Sequence, residues 1–218
     1  MYIPAAFAEP NLGRLHDFIE QYSFGLIVSQ IAGQPFATHL PLLLERDAGR
    51  QGTLVGHVAR ANPHWQAGDD HTVLAVFSGP HAYISPTWYE TANVVPTWNY
   101  VAVHALGKMH IIDDEPTLLE IVSRLAGIYE SAQPQPWSVA GESKFIERLL
   151  PQIVGFRIPI DVIEGKWKLN QNHPVERREK VARALGRRGD ENSLAIAELM
   201  QAMLRAEPAA TGEDSPPE

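Results

Sequence analysis

The chain has 218 residues, 44% hydrophobic and 20% charged, as expected of a globular protein with a substantial core. It has no cysteine, which excludes disulfides, thiolate metal sites and cysteine nucleophiles. The net charge of −8 argues against a general attraction to nucleic acid, because such binding depends on neutralising phosphates. No apolar run approaches about 18 residues, and the first residues have neither a basic start nor a long apolar core. We therefore expect no membrane span, no signal peptide and a cytoplasmic location.

The first half of the chain predicts one helix followed by four strands. Asn11 is a capping residue, and apolar residues follow it at helical spacing as far as Tyr22. The strands are rich in Val, Leu, Ile and Phe, and are predicted at 25–31, 35–44, 53–59 and 71–79. The first two strands form a hairpin around a turn at residues 32–34.

The second half begins with the longest predicted strand, 97–112, whose even and odd positions carry different chemistry. Such a strand is typical of a barrel, with one face inward and the other on a ligand or partner. The later elements are helices at 114–129 and 142–150, a strand at 153–165 that continues towards 172 past a bend at Gly165, and helices at 175–187 and 191–204.

This order of short strands with late helices favours an α+β fold built on an antiparallel barrel, with peripheral and C-terminal helices. We predict a barrel domain over 1–172, a helical extension over 173–205 and a disordered tail over 206–218, where the composition is polar and proline-rich.

No local catalytic or nucleotide-binding motif is present, neither a Walker loop nor the glycine pattern of a Rossmann fold. The nine histidines do not follow metal-ligand spacing; we interpret them as hydrogen-bonded or ligand-facing residues, with a metal site as the alternative.

Two segments have the composition of anion sites. In GHVARANPHW (56–65), Arg60 and Asn62 follow a strand, where a cation and free backbone amides suit phosphate. In KWKLNQN (166–172), extended backbone would align Lys166, Lys168 and Asn170 on one side. The alternatives are an ordinary turn with a solvated arginine and an edge strand protected from aggregation by lysines.

Aromatic residues concentrate around a repeated Pro-Thr-Trp triplet. Five of the eighteen aromatic residues lie within 83–100: Tyr83, Trp88, Tyr89, Trp98 and Tyr100. They predict either a core or dimer interface, or the walls of a slot for a planar ring.

The charge distribution is uneven. Residues 166–188 carry eight basic and two acidic side chains, and the segment RREKVARALGRR (177–188) reads as a basic helix. This helix is interpreted as a solvated face that packs by Val181 and Leu185, or as a DNA contact.

Five sequence blocks in order resemble the PaiB-type FMN-binding negative transcriptional regulators. They are ATHLPLLL (37–44), GHVARANPHW (56–65), FSGPHAYISPTWY (77–89), VPTWNYVAVHALG (95–107) and VGFRIPIDVIEGKWKLNQN (154–172), and the resemblance extends from Met1 to about Leu185. It implies a split β-barrel related to pyridoxamine-phosphate-oxidase-like flavoproteins, a homodimer, and FMN near the subunit boundary.

The resemblance also implies cofactor-binding residues. It places Thr38 and His39 along the flavin, His57, Arg60 and Asn62 near the phosphate or ribityl chain, and Tyr83 and Ser85 on the next strand. Trp98 and Tyr100 would lie in or beside the ring slot. Lys166, Lys168, Gln171 and Asn172 match the late block, in which Asn170 replaces the usual serine.

Three functions follow from these observations as hypotheses. The first is a flavin- or redox-responsive (negative) transcriptional regulator, and the second is an FMN-dependent oxidoreductase that uses NAD(P)H or another small reductant. The third is direct DNA binding through the basic helix. Of the two tryptophans in the Pro-Thr-Trp triplets, we expect Trp98 and not Trp88 to lie near FMN.

Overall fold

The structure is a computed structural model and describes residues 1–67 and 69–206. The predicted disordered tail lies, from residue 207 onward, outside the described residues. No helix in the described ranges has the length and apolar character needed to cross a membrane.

The described residues form eight strands and five α-helices. The strands are β1 (Ala8–Glu9), β2 (Phe24–Ile31), β3 (Gln34–Pro41), β4 (Leu43–Glu45), β5 (Thr53–Ala59), β6 (His71–Ile84), β7 (Thr97–Ile112) and β8 (Ile153–Lys168). The helices are α1 (Leu12–Gln21), α2 (Glu115–Glu130), α3 (Ser143–Leu149), α4 (Val175–Arg188) and α5 (Glu191–Ala206). Short 3₁₀ helices lie at Ala5–Phe7, Pro63–Ala67, Pro86–Tyr89, Val139–Glu142 and Leu150–Gln152.

The strands form one sheet in the order β3-β2-β6-β7-β8-β5-β4, and β1 pairs with β8. The pairs β2–β3, β2–β6, β4–β5 and β5–β8 are antiparallel. The predicted hairpin is confirmed: Ile31 pairs with Gln34 across Ala32 and Gly33, both at positive φ. Two such residues give the turn whose twist suits a two-residue hairpin.

The chain divides into two compact units, and β6, β7 and β8 contribute residues to both. The first unit comprises residues 1–2, 8–79 and 102–166; the second comprises 3–7, 80–101 and 167 onward. The boundary predicted after residue 172 stays a prediction.

The first unit has a core of sheet residues, with α2 packed beside it. Phe77 and Phe156 are fully buried, and Ile121 of α2 packs with Leu43 and Val55. Helix α2 begins at Asp114, whose side chain accepts a hydrogen bond from Thr117 N at 3.0 Å. That hydrogen bond lowers the pKa of Asp114 and satisfies one of the free amides of the first turn.

The second unit is organised around α4 and α5. Val181 and Leu185 of α4 and Ile196 of α5 are fully buried, and Met200 of α5 is nearly so. The predicted packing of the basic helix by Val181 and Leu185 is therefore confirmed. Helix α4 ends at Gly189, whose φ of 76° is the left-handed conformation common after helices.

The predicted alternation along β7 is confirmed. Its odd positions from Asn99 to Met109 are buried, whereas its even positions are half-buried or exposed. Asn99 lies on the buried face; it has no accessible surface, and its Nδ2 lies 3.4 Å from Met200 Sδ.

The structure differs from three of the strand predictions. Strand β6 runs past Gly79 to Ile84, because Gly79 provides close packing instead of a turn: a Cβ there would lie 2.6 Å from the Phe18 ring. The predicted strand 35–44 is interrupted at Leu42, whose amide donates to Ser23 O at 2.9 Å. Strand β8 passes through Gly165 without a break and ends at Lys168.

Asn170 therefore does not extend the strand face of Lys166 and Lys168, as the sequence had predicted. Its φ of 65° turns the backbone out of the strand. The side chain is buried, and Nδ2 donates to the Tyr89 hydroxyl at 2.9 Å.

Candidate functional site

His64 is the centre of a buried hydrogen-bond network in the first unit. It lies on the short helix Pro63–Ala67 with no accessible surface. Its Nε2 lies 2.8 Å from Ser29 Oγ, and its Nδ1 lies 3.0 Å from Thr38 Oγ1. Burial, reinforced by the neighbouring His71, lowers the pKa of His64 to about 4. The imidazole is therefore neutral at pH 7 and joins β2, β3 and the short helix.

Thr38 and Asn62, both predicted as cofactor ligands, meet in this network. Asn62 Nδ2 donates to Thr38 Oγ1 at 3.1 Å, and Asn62 Oδ1 accepts from His64 N at 2.9 Å. These contacts make Asn62 the cap of the short helix. His39, the next residue on β3, is exposed, and its ring stacks on Phe24 at 6.3 Å.

Arg60 donates hydrogen bonds to backbone carbonyls just before β8 and at its first residue. Its Nε donates to Pro151 O at 2.6 Å, and its Nη2 donates to Ile153 O at 2.9 Å and to Asp113. Nη1 has no acceptor among the described residues. Protein groups thus hold the guanidinium in place, while its Nη1 stays available to an anion.

His57 lies on β5 and lines a cavity of about 170 Å³ whose other described walls are apolar. Its buried Nδ1 has no hydrogen-bond partner among the residues that the structure describes. Burial lowers the pKa of His57. A neutral imidazole among apolar side chains is a poor partner for a phosphate dianion, so its predicted place near the phosphate stays a prediction.

In the second unit, Tyr83 and Trp98 form an exposed aromatic pair. Their ring centroids lie 5.9 Å apart at 71°, and their side chains are 39% and 53% exposed. His81 lies 6.1 Å from the Trp98 ring. Trp98 is the second residue of β7, on the strand face whose residues are half-buried or exposed.

Ser85 and Trp88 belong to the short helix Pro86–Tyr89. The Ser85 side chain caps this helix by accepting from Thr87 N at 3.3 Å. The first Pro-Thr-Trp triplet is therefore helical, whereas the second opens a strand. Tyr100, two residues after Trp98 on the same strand face, is half-buried.

Residues of the block KWKLNQN (166–172) hydrogen-bond to the backbone as well as carrying charge. Lys168 Nζ, in the second unit, donates to Trp98 O at 2.6 Å and to Thr97 Oγ1. Gln171 accepts from Leu169 N at 2.7 Å and donates to Trp167 O, which closes the turn after β8. Asn172 is exposed.

Lys166 is the last residue of the first unit and is 7% exposed. Its Nζ donates to Tyr2 O at 3.0 Å and lies 5.5 Å from the centre of the Tyr2 ring.

The basic face of α4 is largely engaged within the second unit. Arg178 is buried, Lys180 lies 2.6 Å from Glu90 and Arg188 lies 2.9 Å from Asp190. Arg183 lies 3.7 Å from Glu179, one turn earlier.

Two hydrogen-bonded pairs were not predicted from the sequence: His64 with Ser29, and Asn170 with Tyr89. Nothing in the spacing distinguished His64 from the other histidines. The alternation along β2 places Ser29 on its buried face, a signal that could have pointed to a buried hydroxyl needing a partner. Among the described residues, no cluster of three or more His, Cys, Asp or Glu side chains is placed to hold a metal ion.

Residues 1–162 match the family described as "Putative FMN-binding domain". The chain belongs to this FMN-binding family. A curated relative, "Protease synthase and sporulation protein PAI 2" of Bacillus subtilis, is 36% identical over 208 residues, 94% of this chain and 99% of the relative. The predicted PaiB-type family and the FMN cofactor are thereby confirmed.

Solved structures show the fold. A "putative 5-nitroimidazole antibiotic resistance protein" from Bacteroides thetaiotaomicron has a TM-score of 0.52 at 16% identity, covering 73% of this chain and 85% of that one. An FAD and heme binding protein from Mycobacterium smegmatis has a TM-score of 0.53 at 14% identity, covering 78% of each chain. The predicted α+β split-barrel class is confirmed, and at these identities the likeness concerns the fold alone.

The residues present fit FMN. The exposed Tyr83–Trp98 pair offers aromatic surface to a planar ring. Nη1 of Arg60, for which the described residues provide no acceptor, offers two N–H donors to a phosphate. Each feature lies within one unit, so each can be tested by its own substitutions.

Proposed function

We propose that this FMN-binding protein is a negative regulator of transcription whose output responds to its flavin. The observation that carries the proposal is the 36% identity, over nearly the full length of both chains, with a relative named for protease synthase and sporulation. FMN comes from the family itself. A homodimer and a cytoplasmic location, both expected from the sequence, are parts of this proposal.

We assign the ring of FMN to the Tyr83–Trp98 pair of the second unit. Nη1 of Arg60, in the first unit, is a separate candidate for the phosphate, and each assignment is tested independently of the other. The aromatic side chains would bind and orient the ring by contact, and Arg60 would hold an anionic oxygen without losing its contacts to Pro151 and Ile153. When bound, FMN supplies redox chemistry that no side chain of the protein supplies. The remaining predicted ligands, Thr38 and Asn62 among them, would support the site by fixing the backbone.

The proposal does not depend on α4 as a DNA-reading helix. Four of its six cations are buried or paired with acidic groups, which leaves Arg177 and Arg187 as the most available. A mobility-shift assay at two salt concentrations tests this point, with Arg177, Arg183 and Arg187 changed to Ala and the buried Arg178 left intact. Equal binding by the natural chain and the triple variant would exclude the helix, and binding lost in the variant would restore it as the DNA contact.

Transcript measurement in the source organism tests the regulatory role. Deleting the gene should raise a set of transcripts, and returning the natural chain should lower them again. A Trp98→Leu chain that is folded but purifies from the same cells with less bound FMN should lower them less. Full repression by that chain at reduced flavin content would contradict a role for flavin, and unchanged transcripts on deletion would contradict regulation altogether.

Anaerobic mixing with NADH or NADPH separates this proposal from an FMN-dependent oxidoreductase. A regulator that only senses flavin state leaves the absorbance of bound FMN unchanged over minutes. Rapid bleaching, followed by recovery with an added oxidant, would favour the enzyme.

A further inference from the structure

The cavity next to His57 is lined by elements of the first unit. Strand β5 contributes His57, α2 contributes Val122, β8 contributes Ile153 and α3 contributes Ile146 and Leu149. The cavity volume is about 170 Å³. For comparison, a cavity of about 150 Å³ lined by Leu, Ile and Phe in another protein takes up benzene.

Trp137 and Leu149 are the most exposed of the described residues that line this cavity. Trp137 is 45% exposed and Leu149 is 37% exposed. The backbone at Trp137 is held by α2, since Trp137 N donates to Glu130 Oε2 at 2.9 Å. The cavity is therefore bordered by side chains that reach the surface.

His57 is the only titratable group among the described lining residues, and its buried Nδ1 is hydrogen-bonded to no described residue. Buried polar groups almost always have partners, so a buried ring nitrogen without one points to a missing partner.

Water alone is a poor occupant. A buried water needs two to four polar partners, and the described lining offers the imidazole and the Trp137 ring nitrogen at most. FMN is also a poor occupant. No described lining residue carries a charge that could bind the FMN phosphate. The three fused rings of FMN are also larger than a cavity that suits a single small aromatic ring.

We propose that this cavity binds a small uncharged aromatic molecule with one hydroxyl or ring N–H group, of the phenol or indole class, anchored on His57. The apolar walls take the ring, and the imidazole takes the polar group. The neutral state of His57 favours this, since burial lowers its pKa. Such a site gives the protein a ligand of its own besides FMN.

Titration of the full FMN-loaded chain with phenol, and with toluene as the matched probe without a hydroxyl, tests the site by NMR. Phenol should shift the His57 ring ¹⁵N resonances and the Ile146 and Ile153 methyl resonances with saturation. It should bind about tenfold more tightly than toluene, the factor expected of one hydrogen bond. No binding of either probe up to its solubility limit would overturn the proposal.

Two substitutions at His57 separate the anchor from the walls. His57→Phe removes both nitrogens and should abolish the preference for phenol while leaving toluene binding within about twofold. His57→Gln places an amide near the position of Nε2 and should retain most of the preference. Equal phenol binding by the Phe variant would overturn the assigned anchor.

Ile146→Phe should fill the cavity and weaken both probes, with flavin absorbance unchanged. Competition between phenol and FMN for the same resonances would overturn the proposal by making the cavity part of the cofactor site. Because FMN content is read separately from its absorbance, a colourless chain that still binds phenol would count against the proposed function and not against this cavity.

Discussion

His64 is held neutral by its position between two hydroxyl groups. Ser29 Oγ lies 2.8 Å from Nε2 and Thr38 Oγ1 lies 3.0 Å from Nδ1, and the ring has no accessible surface. With one nitrogen protonated, the ring donates to one hydroxyl and accepts from the other; a second proton would place an N–H against a hydroxyl already oriented as donor. At the scale of the residue, His64 therefore makes the hairpin β2–β3 sensitive to acid.

We predict that protonation of His64 destabilises the folded chain. Burial lowers its pKa from 6.5 to about 4. Between these values the unfolded chain binds the extra proton and the folded chain does not, so stability is full above pH 6.5 and falls as the pH drops towards 4. The expected loss is about 3 kcal/mol.

Urea unfolding of the natural chain and of His64→Gln at pH 7.5 and pH 4 measures this effect. Other groups also titrate in this range, so the informative quantity is the difference between the two chains. The natural chain should lose about 3 kcal/mol more than the variant. Equal losses would mean that His64 titrates normally in the folded chain.

Trp98 and Trp88 differ in the surface that they offer, although both sit in a Pro-Thr-Trp triplet. Trp98 is 53% exposed at the start of β7, whereas Trp88 is half-buried in the short helix Pro86–Tyr89. Trp98→Leu should lower FMN affinity by about tenfold, because an aromatic contact with the flavin ring is lost. Trp88→Leu should retain FMN, as judged by absorbance after gel filtration. The reverse order would move the ring site to the short helix.

Strands β7 and β8 pack closely against each other at Gly107. A Cβ on Gly107 of β7 would lie 2.1 Å from Pro159 O and 2.9 Å from the Ile158 side chain. The nearest obstacle is backbone, which cannot rotate away as a side chain can. Strand β7 therefore requires glycine at this position, on the face that carries the buried residues.

Gly107→Ala should destabilise the chain by at least about 3 kcal/mol, because the two strands must separate to admit one methyl group. Gly127→Ala is the matched control: this glycine lies within α2, and nothing lies within 4 Å of its Cβ position. It should stabilise the chain by about 1 kcal/mol through helix propensity. Chemical denaturation compares the two, and a mild effect at Gly107 would show that the strands can move apart at low cost.

The whole molecule is stabilised by its cofactor, since FMN binds the folded chain and not the unfolded one. At free FMN of 100 times Kd, the free energy of unfolding should rise by about 2.7 kcal/mol. Riboflavin, which lacks the phosphate, should give a smaller increase at the same concentration because Nη1 of Arg60 then has no anion to bind.

Thermal unfolding of the flavin-free chain, with each compound added in turn, measures both increases. Equal increases would show that the phosphate contributes no binding energy. No increase with either compound would contradict cofactor binding to this chain.

Periodicity and composition determined the elements, the two faces of β7 and the burial of Val181 and Leu185, because these properties depend on neighbours within a few residues. The ordered blocks determined the family and its cofactor. Strand ends were less predictable: Gly79 reads as a stop in sequence, yet the Phe18 ring requires it inside a strand.

Only the tertiary structure decided the partners of the polar side chains. His64 bonds to residues 35 and 26 positions earlier, Arg60 bonds to carbonyls 91 and 93 positions later, and Asn170 bonds to Tyr89 across 81 positions. Those distances along the chain exceed any local pattern, so the sequence marked Arg60 and His57 as ligand candidates without showing what each faces. The fold directs Arg60 to the carbonyl groups of Pro151 and Ile153. It directs His57 to an apolar cavity, where Nδ1 has no partner within the described part of the chain.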